Sequence, residues 1–272
     1  MAAKRIVFIT GANTGLGYEA VKALYNSPNA YEILLGSRSV DKGETAISTL
    51  KKETAQSASS LSTVQVDIES DDSITKAFDA IAAKHGKLDV LINNAGANFE
   101  RDIQDGKFSL REGWMKSWNV NVAGTNVLTS TFVPLLLKSQ DPYLLFITSG
   151  TSSMGEAQRF DADIFRRLNQ SPAAGWPKAK EPNPTMSYRS TKAGLNMMMT
   201  QWERVLKEDG VKVWAISPGF LATGLAGIGA EKLKQIGAQD PAIGGQFIRD
   251  VVEGKREADR GKAIRSDMIQ PW

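Results

Sequence analysis

Lys4-Arg5-Ile6-Val7-Phe8-Ile9-Thr10-Gly11-Ala12-Asn13-Thr14-Gly15-Leu16-Gly17 is an apolar run that turns through three glycines into the helical pattern Tyr18 to Tyr25. That order reads as a strand, a tight turn and a helix start. Glycines at 11, 15 and 17 remove the side chains that would keep backbone N–H groups away from a phosphate. The helix N-terminus behind them favours negative charge. The spacing differs from G-x-G-x-x-G, but a glycine turn that follows the first strand of an alternating pattern points to a dinucleotide rather than to a mere chain reversal.

Outward from this turn, strand and helix patterns alternate along all 272 residues. Strands are predicted near 4–10, 30–36, 62–67, 88–93, 142–149, 211–217 and 262–269. Helices are predicted near 15–26, 40–55, 71–85, 111–138, 185–208 and 240–252. Alternation of this kind means parallel strands joined by right-handed crossovers. Short apolar runs such as Val90-Leu91-Ile92 and Leu144-Leu145-Phe146-Ile147 suit strands buried on both faces. The expected architecture is a single α/β domain over 1–272: a doubly wound, seven-stranded parallel sheet with helices on both faces, binding ligands beyond its strand C-termini. Ala55 to Ser62, rich in Ser and Ala, reads as a loop.

Composition narrows the function classes. The chain is 42% hydrophobic, enough for a large core, and its 33 basic against 30 acidic residues leave only +3, too little to argue for nucleic acid. With no cysteine and one histidine, His85, disulfides, thiolate zinc sites, multi-His metal sites and Ser-His-Asp machinery are excluded, so no metal is expected. His85 is expected as a surface residue in a helix-to-strand connection. An early first strand and the lack of a long apolar run suggest no signal peptide and no membrane span, which makes the cytoplasm the expected location.

Tyr188-Arg189-Ser190-Thr191-Lys192 places a phenol and an ammonium four residues apart, on one face of a helix. A lysine held there would favour the phenolate and lower the phenol pKa toward neutrality. Alone, the pair also fits a half-buried tyrosine beside a solvated lysine.

Taken with Thr10-Gly11-x-x-x-Gly15-x-Gly17, Asn93-Asn94-Ala95-Gly96, Asp67 after a strand, Asn121 in Asn-Val-Ala-Gly, Ser149 after Leu144 to Thr148, and Pro218-Gly219-x-x-x-Thr223, the chain resembles the short-chain dehydrogenase/reductase family in motif order and spacing. The resemblance implies a Rossmann fold, an NADPH/NADP+ cofactor and a catalytic set of Asn121, Ser149, Tyr188 and Lys192. Tyr188 would protonate a carbonyl oxygen, Ser149 would hydrogen-bond it, Lys192 would tune Tyr188 and hold the nicotinamide ribose, and Asn121 would hold a water. The implied cofactor site comprises Gly11, Asn13, Thr14, Gly15, Leu16, Gly17, Ser37, Arg38, Asp67, Ile68, Asn94, Ala95, Gly96, Tyr188, Lys192, Pro218, Gly219 and Thr223. Asp67 would contact the adenine, or would simply cap the following helix.

Ser37-Arg38 ends the second strand where an acidic residue would repel a 2′-phosphate, so NADP(H) is expected over NAD(H). Thr14 stands where some NADP-dependent relatives carry a second basic residue. Tyr188 stands 39 positions after Ser149, farther than in the simplest family members. An insertion over 150–187, helical at Phe160 to Leu168 and broken by Pro172, Gly175, Pro177, Pro182 and Pro184, resembles that of carbonyl reductases and leaves monomer and homodimer both open. Together with a loop and helix over 223–240 it is expected to form a lid on the substrate pocket, with Phe99, Trp176 and Phe220 as apolar surfaces and Trp114 and Trp118 as packing residues. The implied activity is reduction of a ketone or aldehyde, a small-molecule substrate. The alternatives are an NADP+-dependent secondary-alcohol dehydrogenase and a dinucleotide-sensing protein without turnover. Gln270-Pro271-Trp272 resembles the ending of fungal reductases, which implies secondary or xenobiotic metabolism.

Overall fold

The computed structural model describes residues 4–54, 56–179 and 185–272. Its strands are β1 (Arg5–Ile9), β2 (Tyr31–Ser37), β3 (Ser60–Gln65), β4 (Val90–Asn93), β5 (Tyr143–Ile147), β6 (Lys212–Ile216) and β7 (Ala263–Ile264). They form one sheet in the order β3-β2-β1-β4-β5-β6-β7, with every neighbouring pair parallel. The helices are α1 (Gly15–Tyr25), α2 (Val40–Glu53), α3 (Asp71–His85), α4 (Glu100–Gln104), α5 (Leu110–Trp118), α6 (Thr125–Leu136), α7 (Asp163–Asn169), α8 (Met186–Leu206), α9 (Ala230–Gln235) and α10 (Pro241–Val252). The fold is Rossmann-like and doubly wound. Strand order reverses between β1 and β4, and a crevice opens there beyond the strand C-termini.

Period-two alternation builds the two cores. Val7 and Ile9 of β1, with Leu145 of β5 and Trp214 of β6, meet α1, α2 and α10 on one face. Ile6 and Phe8, with Leu144, Phe146 and Val213, meet α3, α6 and α8 on the other. Phe132 of α6 is fully buried between Phe8, at 5.2 Å between ring centroids, and Phe78, at 5.7 Å edge to face.

Side chains cap most of the long helices. Ser39 accepts from Lys42 N at the start of α2, Ser70 from Ser73 N at α3, Ser109 forms a capping box with Glu112 at α5, and Asp240 accepts from Ala242 N at α10. Helix α1 differs, because Thr14 at its N-cap makes no side-chain bond to the first turn. His85 ends α3, half-buried, before Gly86 in the left-handed conformation.

Several boundaries depart from the sequence pattern. The helix predicted over 111–138 is interrupted by a π-helical turn, Asn119–Gly124, between α5 and α6. A Cβ on Gly124 would lie 2.0 Å from the Ile68 carbonyl oxygen, so backbone meets backbone there, and the wider turn directs Asn121 inward. Strand β7 spans two residues instead of 262–269, since Arg265 N donates to Met268 O at 2.8 Å and the chain doubles back to an antiparallel bridge between Ile264 and Ile269. Ser60 to Ser62 belong to β3 rather than to a loop, while Ala55, Pro182 and Pro184 lie outside the described residues. The short helix α4 carries no sequence-level periodicity, and α7 covers the later part of the predicted 160–168 helix. Among the described residues no helix is long and apolar enough to cross a membrane.

Candidate active site

The glycine turn is held by hydrogen bonds across the switch point. Thr10 Oγ1 accepts from Asn94 N at 3.1 Å and Ala95 N at 3.0 Å, and Asn94 Nδ2 donates to Thr10 O at 2.8 Å and Gly11 O at 3.1 Å. Gly11 and Gly15 have φ of 61° and 57°, and a Cβ on Gly17 would sit 2.5 Å from Asn94 Nδ2 and 2.6 Å from Gly11 O. These glycines are required by conformation and by close packing. Asn13, Thr14, Gly15 and Leu16 line the crevice, and the uncapped first turn of α1 leaves backbone N–H groups for an anion there.

The crevice is a continuous cavity of about 920 Å³. One end is lined by Ser37, Arg38, Ser39 and Lys42, with Asp67 and Ile68 nearby. Ser37 is buried and its hydroxyl donates to Ser39 O at 2.8 Å, so it is occupied locally. The exposed Arg38 guanidinium and the Lys42 ammonium have no acidic partner among the described residues. Lys42 escaped the sequence reading, although it lies at the first turn of a serine-capped helix four residues after Arg38. Asp67 does not cap α3, which Ser70 does; Asp67 Oδ1 accepts from Glu69 N at 3.1 Å.

The other end brings Asn94, Ala95, Gly96, Ser149, Tyr188, Lys192, Pro218, Gly219 and Thr223 together. Tyr188 and Lys192 project from α8, Ser149 follows β5, and Asn121 stands behind them on the π-helical turn. Asn121 Oδ1 accepts from Ala97 N at 2.9 Å while its Nδ2 donates to Ala97 O at 2.9 Å and Thr191 Oγ1 at 3.0 Å. Its side-chain amide thus ties the loop after β4 to α8. A Cβ on Gly96 would meet Asn121 Oδ1 at 3.2 Å and Lys192 Nζ at 3.5 Å, so Gly96 keeps the cavity floor open.

The Tyr188 phenol departs from the expected lowering. Burial pushes its pKa up to about 12, and interaction with the Ser149 hydroxyl opposes this only in part. Lys192 Nζ lies 5.8 Å from the ring centroid and donates to Ile147 O at 2.8 Å. Burial without a carboxylate brings Lys192 itself down to about 8.

Several residues that act on this end were missed. Glu100 of α4 is buried, and its Oε1 accepts from Ser187 N and, at 3.3 Å, from Tyr188 N, capping α8 where Thr185 makes no side-chain bond. Gln270 is also buried and donates to Ser149 O at 3.2 Å and Ser152 Oγ at 3.1 Å, bracing the Ser149 turn. Phe99 and Phe220 line the cavity as expected of them, joined by Ile164, Phe165 and Leu168 from the segment around α7 and by Leu225 and Leu233. Trp176 does not, being 88% exposed. Trp118 packs on Gly194 of α8, away from the cavity.

Residues 5–160 match the family model described as short chain dehydrogenase. The chain belongs to the short-chain dehydrogenase/reductase family. Its similarity extends over the full length of curated members: it is 44% identical over 279 residues to short-chain dehydrogenase/reductase eupG of Phoma sp, covering 99% of this chain and 98% of that one. It is 41% identical over 273 residues to short-chain dehydrogenase/reductase tropE of Talaromyces stipitatus, with coverage of 99% and 98%. Among solved structures, the NADPH bound carbonyl reductase from chicken fatty liver shares the fold at a TM-score of 0.75 and 22% identity, over 99% of each chain. This short-chain dehydrogenase/reductase is therefore an oxidoreductase that uses a nicotinamide dinucleotide. The residues present fit that group: an uncapped helix N-terminus beside a turn of glycines, in a cavity long enough to run from Arg38 to Tyr188.

Proposed function

We propose that this enzyme reduces a ketone or aldehyde with NADPH, using Tyr188 as the proton donor. The observation that carries the proposal is the placement of the Tyr188 phenol with Ser149 and Lys192 at the end of the cavity away from Arg38. A phenol keeps its proton at neutral pH and so has one to give to a carbonyl oxygen. When bound, the reduced nicotinamide supplies the hydride. Ser149 donates to the carbonyl oxygen and orients it. Tyr188 passes its proton to the same oxygen as negative charge develops, and the Lys192 ammonium stabilises the phenolate left behind until solvent reprotonates it. Asn121 keeps α8 in register with the cavity floor through Ala97 and Thr191.

Preference for NADPH over NADH follows from Arg38 and Lys42, two cations without acidic partners beside the Ser39 cap, a constellation suited to a 2′-phosphate. The segment around α7 and the segment 223–240 would cover the substrate; Arg167 Nη1 of α7 donates to Ile236 O at 3.0 Å, bridging the two. The test is to titrate NADPH and NADH by nicotinamide fluorescence and then to follow cofactor oxidation with aliphatic, aromatic and quinone carbonyls, for the wild type and Tyr188→Phe. Tight NADPH binding, turnover with one carbonyl class and loss of that turnover in the retained-binding variant support the proposal. Preference for NADH removes the role of Arg38, and undiminished turnover in Tyr188→Phe removes that of Tyr188.

A further inference from the structure

Two arginines line the substrate end of the cavity, and they differ in how their charge is met. Arg265 is neutralised: its Nη1 donates to Glu156 Oε1 at 3.0 Å, its Nη2 bonds Glu156 Oε2, and its Nε donates to Gln270 Oε1 at 3.1 Å. Arg189, the residue after Tyr188, has only neutral acceptors among the described residues. Its Nε donates to Thr151 O at 3.0 Å, its Nη1 to Leu168 O at 3.4 Å and Asn169 Oδ1 at 3.3 Å, and its Nη2 to Asn169 Oδ1 at 3.3 Å. Five N–H donors meet four contacts, three of them long, and one Nη2 hydrogen is unspent. Asn169 is itself fixed, because its Nδ2 donates to Glu156 O at 2.8 Å and Arg159 O at 2.9 Å. The guanidinium is therefore held still, half-buried, with no carboxylate against it among the described residues.

The acids that line the cavity do not compensate it. Glu156 serves Arg265, Asp67 and Glu69 follow β3 at the far edge of the sheet, and Asp267 is exposed. Burial also disfavours the charged form of Arg189, as it does that of Lys192 one helical turn on, so this end of the site has two desolvated cations that no carboxylate contacts among the described residues. A bound oxyanion would relieve both.

We propose that Arg189 recognises an oxyanion, a carboxylate or an ionised phenol, carried by the carbonyl substrate, a specificity that rests on the reductase activity proposed above. The apolar side chains Ile164, Phe165, Leu168 and Phe220 would cover the body of such a substrate, so its class is an anionic aromatic or similarly apolar carbonyl compound.

Dead-end binding tests this apart from turnover. The protein is loaded with the reduced cofactor it prefers and titrated, by calorimetry, with alcohols that cannot accept hydride. One pair is 3-(hydroxymethyl)benzoate and its methyl ester; the other is 4-hydroxy-3-nitrobenzyl alcohol, ionised near neutral pH, and its methyl ether. The anion of at least one pair is expected to bind about ten-fold tighter than its neutral partner, the scale of one charge-assisted hydrogen bond. Whichever pair shows the difference tells carboxylate from phenolate. In Arg189→Gln the advantage falls to about two-fold or less, and Arg189→Lys, which keeps the charge, retains part of it. Neutral members that bind as well as anions in the wild type overturn the proposal, as does an advantage that survives in Arg189→Gln. The wild-type comparison decides even where a variant fails to fold. Oxidation of the same cofactor by 3-formylbenzoate and by unsubstituted benzaldehyde, with the carbonyl panel above, separates the two levels: turnover without anion preference leaves the reductase and removes the Arg189 role, whereas anion preference in binding with no turnover across the whole panel leaves the anion site and removes the reductase.

Discussion

Lys192→Met should change the pH dependence of stability in a defined direction. Lys192 is 4% exposed and, among the described residues, unpaired with any carboxylate, and burial brings its pKa from 10.5 to about 8. Because the folded value lies below the unfolded one, the unfolded chain holds more protons on this group between pH 8 and 10.5. Wild-type stability therefore rises with pH across that window, and the cost of the buried charge is fully present below it. That lowering corresponds to roughly 3 kcal/mol in full, of which about 1 kcal/mol is recovered between pH 7 and pH 9. Methionine fills similar space without the charge. Urea unfolding of wild type and Lys192→Met at the two pH values isolates the term, since other titrating groups cancel in the difference and Tyr188, raised to about 12, stays protonated in both. Any stability advantage of the variant should shrink by about 1 kcal/mol from pH 7 to pH 9, or roughly 2–4 °C in melting temperature, while its turnover is lost. A stability difference that is the same at both pH values would refute the buried, uncompensated ammonium.

Three further outcomes are expected. Glu100→Ala leaves the Ser187 and Tyr188 N–H groups without their acceptor, costing about 1–3 kcal/mol, and should lower kcat with cofactor affinity nearly unchanged. Glu100→Gln, which keeps an oxygen acceptor, should restore most of both, and an unaltered kcat in Glu100→Ala would show that the cap does not position Tyr188. Arg38→Asp combined with Lys42→Ala should weaken NADPH binding about ten-fold or more and leave NADH binding intact, measured by fluorescence titration, because only the 2′-phosphate loses partners. Gly17→Ala should lower both the melting temperature and dinucleotide affinity, since its Cβ would lie 2.6 Å from the Gly11 carbonyl and 2.9 Å from Ala12 Cα, backbone that cannot swing aside.

What could be read without the structure was whatever depends on near neighbours in the chain. The continuous apolar run Ile6 to Ile9 is enough to make a strand buried on both faces, and the repeated strand and helix periods imply the parallel order that follows. Four-residue spacing alone places Tyr188 and Lys192 on one face of α8, and glycine is the residue that the turn at Gly11 and Gly15 demands. The end of β7 and the break between α5 and α6 were hidden, because one is decided by a fold-back onto Ile269 and the other by the contact of Gly124 with Ile68 O. Packing likewise decided that Glu100 caps the helix bearing Tyr188, 88 positions away, and that Gln270 braces Ser149 from 121 positions away. It also turned the expected low phenol pKa into a high one, since a pKa follows the solvent and charge around a group and not its sequence spacing. Local periods and steric demands are written residue by residue, whereas burial and long-range hydrogen bonds exist only once the layers have closed.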